Sequence, residues 1–272
     1  SYMNLKGVND IELLLSELDK QQLCDFIRGE CANDRHFQQR FLSLGTGFLT
    51  SPKFSDYHAR IMDMIEEFGD RHGFVEYSKT FRLNRAICQI VDEADMAIQN
   101  YQWDVAQTIL DSIATSGEEI LYCGDDSAGE LGDILHYCFQ KWHELSSDEL
   151  LPEGKKSELF ELSLTHFAEG CLKEFDWWWD WIQMAIQLAD DEEKQGRIIQ
   201  ELDKVINIKG DEWGVNYNRQ VAQRHKLEIM SKRGTPEEQF KFMYENVSNP
   251  DFRRRLLQMA WDRGDYKEVL RL

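Results

Sequence analysis

The chain has 272 residues, of which 42% are hydrophobic and 30% are charged, as in a globular protein and unlike a disordered one. Its formal net charge of −19 argues against generic binding to nucleic acid or to an anionic membrane surface, because like charges repel. The same charge suits partners that are neutral or basic.

The cysteines indicate a reducing compartment. None forms a CxC or CxxC pair, and a disulfide framework is not expected in a chain long enough to bury a large core. The six are Cys24, Cys31, Cys88, Cys123, Cys138 and Cys171. No apolar run approaches the roughly 20 residues of a membrane-spanning helix, and the first residues lack a signal-peptide pattern. These features predict a soluble cytoplasmic protein.

Apolar residues recur at helical spacing through the first part of the chain. Asp19 is a candidate N-cap between two short helices, and a break at 33–34 precedes another apolar stretch. A stripe that includes Ile61 and Ile65 ends at loop 69–73, where one of two glycines is expected to take a positive φ.

The middle of the chain continues the helical pattern. The stretch from about 75 to 98 is long and periodic, and a turn at 100–103 leads into the next helix. A polar break at 124–129 then offers Asp126 or Ser127 as the N-cap of the helix that follows.

The second half follows the clearest linker, which is marked by Pro152 and Gly154. Helical periodicity returns beyond it, and the last helices are predicted to begin near Trp213, at 235–238 and at 249–251. The last of these sites combines a cap residue, a proline at the first helical position and an acid in the first turn. No segment alternates strictly enough to predict a strand.

Short loops between helices imply antiparallel neighbours. The predicted fold class is therefore all-α, with stacked antiparallel helix hairpins that form a degenerate α-solenoid of the tetratricopeptide or HEAT kind. Two weak echoes suggest a repeat, one between 26–42 and 242–257 and one between 100–110 and 264–270. Chance similarity between amphipathic helices is the alternative explanation.

We predict one elongated repeat domain over residues 1–272, with a possible subdivision near 146–156. The final residues 270–272 stop just after a helix has begun, so we expect either that the chain is part of a longer protein or that it ends with a frayed turn.

One polar loop could belong to an active site. Asp70, Arg71 and His72 lie between glycines and could act with a carboxylate such as Glu130 from a distant helix. A helix C-cap is the preferred interpretation, because no second histidine or nucleophile is tied to this loop by spacing.

Metal motifs are incomplete. A calcium loop that starts at Asp125 would have Glu130 where glycine is required at position 6, and it lacks the glutamate required at position 12. Asp133 and His136 form a single i, i+3 pair, whereas a di-iron bundle needs two. We therefore predict no metal, no cofactor and no catalytic residue.

The tryptophan string is the most unusual feature of the sequence. It consists of Trp177, Trp178, Trp179 and Trp181. On a helix these side chains point to three faces, which cannot all meet a single core. Either the helix is enclosed between two hairpins, which is the favoured interpretation, or one tryptophan is exposed as an anchor for a partner. All four are the predicted partner-binding residues.

With these segments identified, the chain resembles the helical region that follows the zinc module in bacterial SWIM zinc-finger proteins. The matching stretches span roughly 200 residues and lie at 69–74, 100–106, 125–132, 249–252 and 265–266. The zinc motif of that family, CxC…CxH, is absent, so its zinc and nucleic-acid roles cannot be placed on any residue. The resemblance implies a helical-repeat part of a larger bacterial protein.

The predicted function is a non-catalytic interaction module that binds a protein partner, since curved stacks of hairpins offer a concave face. One alternative is a structural spacer within a larger zinc-finger protein. Another is an enzyme whose site is assembled from distant helices.

Overall fold

The computed structural model describes residues 17–33 and 53–272, and it confirms the all-α fold class. The predictions for the apolar stretch after 33–34 and for the helix before Asp19 lie outside these residues. Thirteen α-helices occupy the described ranges. They are α1 Lys20–Asn33, α2 Phe54–Phe68, α3 Tyr77–Gln99, α4 Trp103–Thr115, α5 Gly117–Tyr122, α6 Glu130–Ser146, α7 Glu153–Glu169, α8 Trp178–Leu188, α9 Glu192–Ile206, α10 Trp213–Arg233, α11 Pro236–Glu245, α12 Pro250–Asp262 and α13 Tyr266–Arg271.

Local capping explains where several helices begin. The Asp19 carboxylate accepts from the backbone N–H of Gln22 at 2.8 Å, which confirms the first N-cap. Thr235 and Glu238 form a reciprocal capping box before α11. Asn249 caps α12, whose first residue is Pro250.

The cap of α6 differs from the prediction in position. Gly129, at φ +80°, is the N-cap, and neither Asp126 nor Ser127 occupies that position. The Asp126 carboxylate still accepts from the first-turn N–H groups of Leu131 and Gly132, at 2.6 and 3.1 Å. Asp126 therefore satisfies first-turn N–H groups of α6 as a cap residue would, although it precedes the N-cap position.

One large core spans the chain from α2 to α10. In its first part α3 packs against both α4 and α6, and α2 packs against α3 and α4. Residues at helical spacing on these elements are fully buried, as the periodicity predicts.

The connection around 146–156 does not separate two cores. Leu151 within it is only 3% exposed and belongs to the same cluster as the helices on either side. Beyond it α7 and α8 pack closely together, and α8 also contacts α6, α9 and α10.

The C-terminal helices pack mainly on their neighbours in sequence. Helix α10 contacts α11, α11 contacts α12, and α12 contacts α13. A second, smaller cluster holds them, formed by Leu227, Met243, Phe252 and Leu256. These contacts establish packed helices, and the solenoid arrangement remains a prediction.

In the part of the chain that the structure describes, no helix has both the length and the apolar character needed to cross a membrane.

Candidate functional site

Helix α8 is enclosed by its neighbours, and this places most of the tryptophan string in the core. Trp181 is fully buried, with its ring centroid 5.0 Å from that of Phe139 and 4.6 Å from that of His166. Trp178 stacks on Phe167 at 4.4 Å, and its indole N–H donates to the Phe167 carbonyl at 2.9 Å.

Trp179 is buried too, against the opposite neighbour of α8. Its ring stacks at 5.7 Å on His225 of α10. Burial is the main influence on His225 and lowers the pKa of the imidazole below its ordinary 6.5, while the Glu228 carboxylate acts in the opposite direction. The neutral imidazole is therefore the favoured partner of the indole.

These contacts correct the expectation that the whole string could anchor a partner. Trp178, Trp179 and Trp181 are no more than 5% exposed, so a partner cannot contact them while the fold is intact. Trp177, which precedes α8, is half-buried and is the one member left at the surface. The enclosed helix is the arrangement that this burial supports.

Trp177 borders an open groove of about 790 Å³ between the turn before α8 and the first turns of α10. We call it the aromatic groove. Its lining residues are Lys173, Glu174, Phe175, Asp176, Trp177, Trp213, Gly214, Tyr217 and Asn218.

Two aromatic pairs line this groove. Trp213 is 80% exposed and stacks on Tyr217 one turn later, with centroids 5.4 Å apart and planes 9° from parallel. Phe175 and Trp177 form the other pair, at 6.1 Å. Exposed Tyr122 of α5 extends this second pair, because its ring lies 5.6 Å from that of Phe175.

A hydrogen bond joins the two sides of the aromatic groove. The Tyr217 hydroxyl donates to the Asp176 carboxylate at 3.1 Å. Partial burial, followed by this hydrogen bond, raises the pKa of Tyr217 above its ordinary value of 10.0. The phenol therefore stays protonated at neutral pH, and the site presents carboxylates beside aromatic faces.

The loop after α2 ends that helix, because the Gly69 N–H donates to the Ile65 carbonyl at 2.9 Å. The Asp70 carboxylate accepts from the backbone N–H groups of His72 and Phe74, and these bonds lower its pKa. Gly73 takes the positive φ, at +81°, whereas Gly69 does not. The side-chain hydrogen bonds of Asp70 and His72 stay within residues 70–74, and in the described part of the chain none joins them to Glu130.

The cysteines in and against the large core have the properties of packing residues. Burial raises the pKa of Cys88 and Cys123 to about 11 and that of Cys171 to about 12. His166 and Asp111 lie 2.7 Å apart near Cys171, but a thiol with such a pKa is a poor nucleophile at neutral pH. Among the described residues no group of three His, Cys, Asp or Glu side chains could hold a metal ion.

In the sequence, Trp213 is recognisable only as the start of a helix, and Tyr217 is not among the predicted binding residues. The available signal was the i, i+4 spacing of two aromatic residues directly after Asp211 and Glu212. The sequence does not show that α10 lies beside the turn before α8, and only the tertiary structure brings the two together.

Comparison with protein-family models, with curated proteins and with solved structures finds no match to this chain. The resemblance to SWIM zinc-finger proteins therefore stays a prediction.

Proposed function

We propose that this chain is a non-catalytic interaction module that binds a segment of a protein partner in the aromatic groove. The observation that carries the proposal is the exposure of Trp213, 80%, on the edge of a groove that also holds Trp177. Tryptophan and tyrosine are the residues that most often dominate the binding energy of protein interfaces.

The size and openness of the aromatic groove suit a chain segment. Its volume of about 790 Å³ holds a few side chains, and it opens to solvent between two elements. Its ionisable side chains are two carboxylates, one lysine and one phenol with a raised pKa. Among the described residues, no histidine or cysteine lines the aromatic groove, which supports binding over catalysis.

We place the module in the cytoplasm. The six cysteines are all free in the structure, and two of them, Cys123 and Cys138, are buried in the large core. A protein that uses cysteine in this way is suited to a reducing compartment.

Site-specific photo-crosslinking tests the proposal. A benzoylphenylalanine side chain would replace Trp213 in one variant and Trp261 in another. Trp261 lies on α12 outside the aromatic groove, is 59% exposed, and also contacts a neighbouring tyrosine, which makes it a matched control.

We expect a discrete crosslinked partner from position 213 and none from position 261. A second change, Trp177→Ala, should abolish the product while the helical circular dichroism spectrum stays unchanged. Identical products from both positions, or none from position 213, would contradict the proposal and favour a structural spacer.

A further inference from the structure

We infer that the aromatic groove binds an arginine side chain of an extended basic segment, with the guanidinium against the Trp213 ring and with Asp176 and Glu174 as counter-charges. This inference rests on the proposed function, because it names the chemistry of the partner at the same site.

The charges of the aromatic groove favour a cation. Glu174 and Asp176 are exposed carboxylates among its lining residues, and Asp211 and Glu212 are exposed directly before Trp213. The whole chain carries a formal charge of −19, so its long-range field also attracts a basic segment.

The opposing charges are weaker. Lys173 is the one cation among the lining residues, and its ammonium lies 5.6 Å from the centroid of the Trp178 ring. The N-terminus of α10 contributes a partial positive charge of about half a unit, which is less than either full carboxylate. The balance therefore stays negative.

The aromatic faces add a reason to choose arginine. The parallel stack of Trp213 on Tyr217 leaves one face of the indole without a ring partner among the described residues, and most of that side chain is exposed. A planar guanidinium can stack on such a face while its N–H groups donate to carboxylates. An ammonium group satisfies the charge but stacks less well.

The Asp176 carboxylate has room for such a donor. Its Oδ1 atom accepts from the Tyr217 hydroxyl, which fixes its orientation in the aromatic groove. A carboxylate has about four acceptor positions, so a guanidinium can bind without displacing the phenol. A second copy of this chain is a poor occupant, since two bodies of charge −19 repel each other.

Three short peptides of matched sequence test this inference. The first peptide carries two arginines among serine and leucine residues. The second replaces each arginine with citrulline, which keeps the shape of the side chain and removes its charge. The third replaces each arginine with lysine. Fluorescence anisotropy of labelled peptides would give the dissociation constants, and the indole N–H resonances of the full chain would locate the site.

We expect the arginine peptide to bind at least about tenfold more tightly than the citrulline peptide, with lysine between them. The double change Asp176→Asn and Glu174→Gln should remove this preference, and added salt should weaken it. Trp213→Ala should lower the affinity, whereas Trp261→Ala should leave it unchanged.

Equal binding of the arginine and citrulline peptides would overturn the inference, and so would no binding of the arginine peptide. If the crosslink from position 213 persists in either case, the proposed function stands and only the basic partner is wrong. If the crosslink is absent as well, the proposed function fails too.

Discussion

Single buried polar residues join the C-terminal helices, and Asn249 shows how. Its side chain is completely buried. It accepts from the N–H of Asp251 as the cap of α12, and it donates to the Gln220 carbonyl and to the Gln223 side chain of α10. Gln223 in turn donates to Asn246 at 2.7 Å. The Asn249 side chain therefore caps α12 and also hydrogen-bonds it to α10.

We predict that Asn249→Ala lowers the free energy of unfolding by about 2–4 kcal/mol, measured by urea denaturation. Loss of the cap accounts for about 1 kcal/mol. The side-chain oxygen of Gln223, which is left buried and unpaired on α10, accounts for the rest, since such a group costs about 1–3 kcal/mol.

The exposed capping residue Thr235 provides the matched control. Thr235→Ala removes a cap and leaves no buried partner, so it should cost only about 1 kcal/mol. If the two variants lose equal stability, the contacts of Asn249 with α10 contribute nothing.

A short backbone contact also holds α3 and α5 together. Val75 and Gly124 form an isolated parallel bridge, in which the Val75 N–H donates to the Cys123 carbonyl at 2.7 Å and the Val75 carbonyl accepts from Asp125 at 3.1 Å. A Cβ at Gly124 would lie 2.5 Å from the Val75 carbonyl oxygen. The bridge therefore requires glycine, and it holds the start of α3 against the end of α5.

We predict opposite effects of alanine at two glycines. Gly124→Ala should destabilise the protein by about 1–3 kcal/mol, because rigid backbone must move to admit the methyl group. Gly196→Ala should stabilise it by up to about 1 kcal/mol, since Gly196 is inside α9 with open space around it.

Thermal and urea unfolding of both variants would measure these effects. Equal responses at the two positions would show that the bridge is not a structural constraint.

At the scale of the whole molecule, the two hydrophobic clusters differ greatly in size. The large one includes buried residues from α2 to α10, whereas the small one joins the end of α10 to α11 and α12. Fewer buried apolar contacts mean a lower free energy of local opening. The C-terminal helices should therefore open independently of the main core.

We predict that amides in α11 and α12 exchange with solvent deuterium faster than those in α3, α4 and α6. Leu256→Ala should accelerate exchange mainly in α11 and α12, because it removes a side chain that is 1% exposed in the small cluster.

Leu110→Ala, at a fully buried position of the large cluster, should accelerate exchange throughout the described helices. Uniform acceleration by both variants, measured by mass spectrometry, would show a single cooperative unit.

The sequence by itself determined the features that depend on near neighbours along the chain. Helical periodicity predicted the all-α class, and the caps at Asp19, Thr235 and Asn249 could be recognised because a cap bonds within one turn of its own helix. The glycine stop after α2 was predictable for the same reason.

Only the tertiary structure decided which aromatic residues are exposed. Four tryptophans at 177–181 looked alike in sequence, yet three are covered by α6, α7 and α10, and Trp177 is left at the surface. The aromatic groove joins Trp177 to Trp213, which lies far along the chain and is brought near by the packing of α8 on α10. A side chain is buried when other elements pack on its face of the helix. Those elements come from distant parts of the chain, so no local sequence pattern identifies them.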